Sequence, residues 1–525
     1  MWQGLTLAAV AGLVHGCAYV WPVFSWSPLL AVGVLTAAAC TWTPRAGFLA
    51  GFLYGLAFQI VALNWISAVV RLHGDQSAPV AAVVLILMAA VLAVFPAAYA
   101  CAVGFVRARN GAVRALIAAP CFWVAFEFTQ TNLPAIGFPW NLLGYSIAGN
   151  LAVVQIASWT GIHGLSFVAA AAGSAVAWTV LDAKRVRQPR LLLPLLVLMS
   201  LAGMVMAMGD DRVPKPAASR RAALVQTNLP QQPTYGRDWM LEHATEMDQL
   251  ENLSVSAAGH SPDLIIWPEV PAPFYFLEQR FAQRAERIAR NAGSHFLVGV
   301  VEWHPDPRDA ARDASGPAPL RPYNSAVLLG PEGQREFVYD KIHLVAFGEY
   351  VPWRRWLTFA GKLLEMVSDF HAGDEFRVAA PRGGGKFGVF ICFEAVFPNE
   401  VRQFTARGAE LLINISNDGW FGRSSAPDQH LAMARVRAVE NRRWLLRATN
   451  TGHTVAVDPY GRIVARLAPD RRGVLVVPYD FRRDLTLYAR WGDWFAWLCA
   501  GLSAIFLGVA RLIGEKQYGK SEIRN

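Results

Sequence analysis

Charge is scarce in this chain. Of its 525 residues, 17% are Asp, Glu, Lys or Arg, whereas soluble domains carry about 25%. The deficit is local: residues 1–208 and 489–510 are almost uncharged, while residues 209–488 have the make-up of an ordinary globular domain. With 54% hydrophobic residues, a protein soluble throughout is excluded. The composition predicts a membrane protein carrying one inserted soluble domain, long enough for a large core. Metal-type cysteine pairs are also missing. No CxxC or Cys/His spacing suggests zinc, so neither a metal nor another cofactor is expected. Five of the six cysteines (Cys17, Cys40, Cys101, Cys121 and Cys499) fall in apolar stretches, where Cys acts as a small hydrophobe. Cys392 is the one cysteine of the soluble domain, so it has no partner there for a disulfide. A basic patch of the nucleic-acid-binding kind is absent as well. The net charge of +9 is scattered or set beside apolar runs, which argues against a nucleic-acid partner. The first apolar segment lacks a basic leader and a small-residue cleavage site, and predicts a retained helix rather than a signal peptide. Internal repeats are absent too, and the one low-complexity stretch is 303–322.

A membrane-crossing helix needs about 20 mainly apolar residues. Eight stretches qualify: 4–21, 24–42, 46–69, 78–106, 112–129, 160–181, 191–208 and 489–510. Pro28 and Pro120 interrupt the second and fifth. Lys and Arg concentrate after the even-numbered spans: Arg45; Arg107, Arg109 and Arg114; Lys184, Arg185, Arg187 and Arg190; Arg511, Lys516, Lys520 and Arg524. The opposite loops hold Arg71, and segment 130–159 has no Lys or Arg. Positive loops face the cytoplasm, so the soluble domain is expected outside, in the periplasm of a bacterial cell. The expected organisation is a seven-span membrane domain (1–208), a periplasmic domain (209–488), and an eighth span with a cytoplasmic tail (489–525).

Within the soluble domain, strand patterns fall at 222–226, 264–267, 295–301, 325–329, 388–392, 411–416, 454–457 and 474–477. Amphipathic helices fall around 239–257, 276–292, 398–407 and 428–443. Several strands are unbroken Val/Ile/Leu runs, as expected when both faces are covered. An α/β layered domain follows.

Reactive side chains stand at the ends of these strands. Residues 264–269 (LIIWPE) place Glu269 just past a buried strand that Pro268 stops. Residues 388–394 (GVFICFE) do the same for Cys392, and residues 339–344 (YDKIHL) offer Lys341. A thiol is a poor nucleophile until it is deprotonated. A carboxylate takes that proton if burial tunes its basicity. A lysine with a backbone N–H stabilises the oxyanion that forms next. Glu349 is placed to hold the lysine, and Asn324 to hold the lysine or a carboxylate.

Longer strings carry a resemblance. The order Glu, Lys, Cys in WPE, DKIHL and CFE resembles the nitrilase superfamily, whose domain is an αββα sandwich. KIHLVAFGEYVP (341–352), CFEAVFP (392–398), SNDGWFG (416–422), RATNTG (447–452) and GFPWNLLGY (137–145) resemble the apolipoprotein N-acyltransferase family, over essentially the whole chain. The resemblance implies a polytopic α-helical membrane domain joined to an α/β nitrilase-like αββα sandwich. It implies the last step of bacterial lipoprotein maturation at the inner membrane. There Cys392 would take an acyl chain from a phospholipid, preferably phosphatidylethanolamine, as a thioester. The α-amino group of a diacylglyceryl-cysteine at an apolipoprotein N-terminus would then accept it. Carried over, Glu269 accepts the proton, Lys341 stabilises the oxyanion, Glu349 supports them and Glu394 is a further site residue. Phe393 stands where that family commonly has tyrosine, and Ala346 where it has proline. A membrane-anchored amidase or nitrilase-type hydrolase would share these residues, with water resolving the thioester. A transporter would need polar residues lining the spans, and these have almost none.

An acyl chain leaves lipid at roughly 0.8 kcal/mol per CH₂, so the site is expected at the membrane surface under apolar cover. Tyr235, Trp353, Trp356, Trp420 and Phe421 are the candidate lipid or substrate contacts. Residues 353–366 and 273–276 are the candidate shielding stretches. Glu127, alone among apolar neighbours, reaches water from its span end and is not assigned to the site. Nothing in the pattern demands more than a monomer.

Overall fold

The computed structural model describes residues 2–133, 137–182, 213–232, 235–236, 238–305, 319–351 and 369–522. Among them six helices are long and apolar enough to cross a membrane. They are α1 (Trp2–Val20), α3 (Pro44–Ala62), α5 (Ala78–Asn110), α6 (Ala112–Asn132), α7 (Ile162–Asp182) and α12 (Trp494–Glu522). The second expected span is shorter than its apolar run. A 3-10 turn at Pro22–Phe24 takes up its start, and α2 (Ser27–Ala39) has 13 residues, or about 20 Å of rise. The seventh expected span, 191–208, lies outside the described residues. A short helix, α4 (Trp65–Leu72), follows α3.

Small residues let these helices approach closely, as lipid-embedded bundles require. A Cβ on Gly51 of α3 would stand 2.4 Å from the Pro96 carbonyl oxygen of α5. The bundle has two unlike ends. At one, Gly104 of α5 meets the α2–α3 junction at Ala39 and Pro44, and Gly514 of α12 meets Arg109. At the other, Trp65, Trp140 and the end of α1 meet the soluble domain. The Arg-rich loops and the soluble domain therefore occupy opposite ends.

The soluble domain stacks two six-stranded sheets. The first runs β12-β1-β2-β3-β4-β5, with β1 (Arg220–Gln226), β2 (Leu264–Ile266), β3 (His295–Pro305), β4 (Leu320–Leu329), β5 (Arg335–Asp340) and β12 (Gly473–Tyr479). The second runs β11-β10-β9-β8-β7-β6, with β6 (Val378–Ala379), β7 (Phe387–Ile391), β8 (Leu411–Ser416), β9 (Leu445–Thr449), β10 (Thr454–Val457) and β11 (Ile463–Leu467). Three parallel strands form the centre of each sheet: β1, β2 and β3 in one, β7, β8 and β9 in the other. Alternation along a strand sends side chains to opposite faces. Ala222 and Leu224 of β1 therefore join the core between the sheets, with Val389, Ile391 and Leu446. Ala223 and Val225 join an outer core under α8 (Ala244–Ser256) and α9 (Gln279–Ala292), with Leu250, Phe281 and Ile288. On the second sheet α10 (Pro398–Ala406) contributes Val401 and Phe404, and α11 (Ala426–Asn441) contributes Leu431, Ala434 and Ala438. The layers are α, β, β, α. Strands β5, β6, β9 and β11 were absent from the sequence patterning. Arg447 sits mid-strand in β9 and interrupts its apolar run, β6 has two residues, and β11 is an exposed edge.

Helix α11 is apolar on two faces. Opposite its sheet-facing residues, Met433, Val436 and Val439 join the core of the membrane bundle, as do Val396 and Phe397. Gln429 at its start acts as a clamp. Its Oε1 accepts from Trp140 Nε1 at 2.6 Å, and its Nε2 reaches the Tyr19 and Ala62 carbonyls, both at 3.0 Å. The segment bearing Trp140 is anchored by Glu127, which is buried rather than reaching water and whose Oε1 accepts from Leu143 N at 2.6 Å and Trp123 Nε1 at 2.8 Å. Leucine at 429 would orphan the buried Trp140 N–H and the Tyr19 carbonyl at the end of α1, and leave the Ala62 carbonyl only the long bond from Asn141 Nδ2 at 3.5 Å, at about 1–3 kcal/mol per unsatisfied group. Gln429→Leu is expected to unfold at a clearly lower temperature in detergent. An unfolding midpoint matching the parent would show that the clamp contributes nothing.

Candidate active site

Glu269 lies three residues beyond β2, Lys341 directly beyond β5 and Cys392 directly beyond β7. β2 and β7 are fully buried strands and β5 is the half-buried edge of its sheet, and their ends converge where the two sheets meet. Lys341 is 1% exposed, and a buried ammonium is tolerated only with counter-charges. It has two. Its Nζ lies 3.2 Å from Glu269 Oε1 and 2.8 Å from Glu349 Oε2. Burial alone would lower the lysine, but the two carboxylates outweigh it and hold it above the ordinary lysine range. The extra negative charge is met by N–H donors. Asn324, on β4, gives its Nδ2 to Glu269 Oε1 at 2.8 Å and to Glu349 Oε1 at 2.7 Å. Asn417 N donates to Glu269 Oε2 at 2.8 Å, and Val345 N to Glu349 Oε2 at 2.8 Å. Asn324 thus spans the two carboxylates rather than holding the lysine.

Cys392 is the hinge between β7 and a 3-10 turn, Cys392–Val396, and takes φ of +51°. A non-glycine residue there is strained by about 1–3 kcal/mol and persists only where its surroundings impose it. Glu394 supplies that constraint. Its Oε2 accepts from Ile391 N at 2.6 Å, and its Oε1 accepts from Tyr339 OH at 2.8 Å, Ile342 N at 2.7 Å and His343 N at 3.1 Å. One side chain therefore ties the Cys392 turn to the segment that starts at Lys341. Burial pushes the Glu394 carboxyl up to about 7, against these donated hydrogen bonds. Its place is behind the thiol, as a brace. Burial pushes the Cys392 thiol well up too, the charge of Glu269 adds to this, and Lys341 pulls back. Cys392 rests as a thiol, with a carboxylate and an ammonium set around it.

A second buried network lies behind the elbow, and sequence patterning did not assign it. Asp418 meets Arg447 Nη2 through Oδ1 at 2.9 Å and Oδ2 at 2.8 Å, and accepts Ser416 Oγ at 2.8 Å. His430 stands between Asp418 and the Cys392 carbonyl. Asp418 and Arg447 fall in the SNDGWFG and RATNTG strings, but a charged residue mid-strand has no signal of burial in a single sequence.

The other expected contacts divide. Phe421 packs on Trp65, Trp140 and His430, so it seals the junction with the membrane bundle. Trp420 is 41% exposed and sits edge-on to His73, at the end of α4. Tyr235 is half-buried, with its hydroxyl 3.4 Å from the Pro271 carbonyl. Trp353 and Trp356 lie outside the described residues, as does the whole of 353–366. Phe393 is stacked on Trp140, an apolar contact that needs no hydroxyl. Among the described residues, no group of three His, Cys, Asp or Glu side chains is placed to hold a metal.

Two family models match this chain: carbon-nitrogen hydrolase over residues 221–483, and the apolipoprotein N-acyltransferase N-terminal domain over 11–175. The chain is similar to the apolipoprotein N-acyltransferase of Geobacter metallireducens, 36% identical, with 96% of this chain and 94% of that one covered. It is similar also to those of Azotobacter vinelandii (32%, covering 97% and 95%) and Methylococcus capsulatus (32%, covering 99% and 98%). Among solved structures, an amidase from Nesterenkonia sp. is 22% identical, with a TM-score of 0.36 and coverage of 53% of this chain and 95% of that one.

Proposed function

Because this chain belongs to the apolipoprotein N-acyltransferase family, we propose that Cys392 carries a fatty acyl group from a phospholipid to the N-terminal amine of a diacylglyceryl apolipoprotein. The observation that carries this reading is the buried Glu269–Lys341–Glu349 set converging on a strained thiol at the membrane-facing end of the domain. Glu269 takes the thiol proton as Sγ attacks the ester carbonyl. Lys341 and the Phe393 N–H face the charge that develops on oxygen. Collapse breaks the ester C–O bond, Glu269 returns its proton to the leaving alkoxide, and a thioester and a lysophospholipid result. The incoming amine then attacks the thioester and loses a proton to Glu269, the amide forms, and the thiol is restored. The same residues would let water resolve the thioester. The membrane domain, matched over residues 11–175, sets this chain apart from a hydrolase.

Phosphatidylethanolamine is the donor we favour, and the chain acts as a monomer. The site works on the periplasmic side of the inner membrane. The Arg-rich loops at the far end of the bundle support that side, and the exposed Trp21, Trp159, Trp491 and Trp497 near the domain mark the level of a membrane interface, where aromatics collect. Trp420 and Phe347 extend this exposed apolar rim.

Incubation with phospholipid is expected to add one acyl mass to the peptide containing Cys392, by mass spectrometry, and hydroxylamine is expected to remove it. A chain that never acquires this mass while acylating a lipopeptide amine sinks the thioester route. Glu269→Gln removes the proton acceptor but keeps an oxygen for Lys341. Thioester formation is expected to slow by roughly 10²–10⁴-fold, and normal acyl-enzyme accumulation would exclude Glu269 as the base.

A further inference from the structure

His430, on α11, is fully buried between Trp140 and Phe421. Its contacts fix its protons. Nε2 lies 3.0 Å from the Cys392 carbonyl oxygen, which can only accept, so Nε2 carries hydrogen. Nδ1 faces Arg447 Nη2 at 3.2 Å and Asp418 Oδ1 at 3.1 Å. Burial and the Arg447 charge pull the imidazole below its ordinary range while Asp418 pulls it up, and in either charge state Nε2 keeps its hydrogen on the Cys392 carbonyl. Arg447 is fixed in turn by Asp418 and by Asn414, whose Nδ2 donates to the Phe390 carbonyl on β7 at 3.0 Å. A rigid buried chain thus ends in one donor aimed at one carbonyl.

That carbonyl belongs to the peptide unit joining Cys392 to Phe393. The unit is trans, and in a planar trans peptide the N–H points opposite to the C=O. The Phe393 N–H therefore points away from His430. Among the described residues, it donates no hydrogen bond. An unpaired backbone N–H at a buried elbow is uncommon.

We propose that His430 is a positioning residue for acyl transfer. By holding the Cys392 carbonyl it turns the Phe393 N–H toward the place the substrate oxygen takes beside Lys341. Arg447 and Asp418 act through His430. Ser416 serves the same elbow from the other side. Its hydroxyl donates to Asp418 Oδ1 at 2.8 Å, which joins it to the same buried network. The proposal rests on Cys392 being the nucleophile, and is tested apart from the identity of the acyl donor.

Attack on a carbonyl needs an oxyanion site, whereas alkylation by iodoacetamide, a displacement at a saturated carbon, does not. Both rates are read on the full-length chain in detergent. One is the nitrophenolate burst with p-nitrophenyl butyrate, and the other is Cys392 alkylation. Asparagine at 430 is too short to reach the Cys392 carbonyl; glutamine places an N–H near the lost Nε2. His430→Asn is expected to slow the burst by roughly 10²-fold with alkylation within about threefold of wild type, and His430→Gln to recover most of the burst. A burst unchanged in His430→Asn, burst and alkylation falling by the same factor, or His430→Gln as slow as His430→Asn would each overturn the proposal. If the asparagine variant does not accumulate, His430→Gln decides alone, and a burst slowed beyond about tenfold with alkylation intact counts against it. A wild-type chain that gives the burst but takes no acyl group from phospholipid refutes the donor assignment instead, and the His430 variants are still judged on the burst.

Discussion

Cys392→Ala is expected to abolish the acyl-enzyme and to lower transfer to a lipopeptide amine by at least roughly 10⁴-fold, the scale seen when a covalent nucleophile is removed. The fold should survive. Alanine loses one sulfur atom, and the bonds that hold the elbow run through the Ile391 N–H and the Cys392 carbonyl, neither of which is touched. The left-handed φ of +51° costs alanine about what it costs cysteine. Serine is expected to fare little better. Its hydroxyl is far less acidic than a thiol, and burial beside Glu269 penalises an anion there further. The assay is acylation of a synthetic lipopeptide, followed by mass spectrometry, with the unfolding midpoint as control. Transfer at the parental rate by Cys392→Ser would end the thioester mechanism.

Lys341→Met should damage both chemistry and stability. Losing the ammonium removes an oxyanion donor, worth roughly 10²–10³-fold. It also leaves Glu269 and Glu349 facing each other across Asn324 with no cation between them. Breaking a buried charge pair by removing one partner costs about 3–5 kcal/mol. Two such carboxylates cannot both stay ionised, so one rises in pKa. A carboxyl whose folded pKa lies above its unfolded value binds a proton in the fold before the unfolded chain does. Stability is then gained as pH falls through that range. The unfolding midpoint of Lys341→Met should therefore climb toward the parental value as pH is lowered. Adding Glu349→Gln should restore stability at neutral pH without restoring activity. A pH-independent midpoint in the single variant would mean the carboxylates do not sense the lysine.

Much of this arrangement shows in the sequence because it depends on local pattern. LIIWPE and GVFICFE are buried strands cut off at a reactive residue, and a run of that kind puts its last side chain at a sheet end wherever the strand is placed. The apolar stretches of the bundle are plain from composition alone. Tertiary partnership has no such trace. The sharing of Asn324 between two carboxylates depends on β4 lying beside β5, with Ser325 opposite Asp340, a register that a single chain does not write down. Arg447 looks like a surface residue until Asp418, 29 positions away, is brought against it. Glu394 reads as a neighbour of the thiol, yet the turn after Cys392 points its carboxylate back to Tyr339 and Ile342. The second apolar run gives a shorter helix than its length suggests, because Pro22 begins a separate 3-10 turn.

Helix α11 has a mechanical consequence. One of its faces is part of the sheet core and the other part of the bundle core, so tilting the domain on the membrane would tear a packed interior on one side or the other. Rocking is therefore a stiff degree of freedom, and the height of the thiol above the lipid becomes a fixed length. A donor is gauged by how far its ester sits from the bilayer plane, and an acceptor by whether its amine rises to the same level.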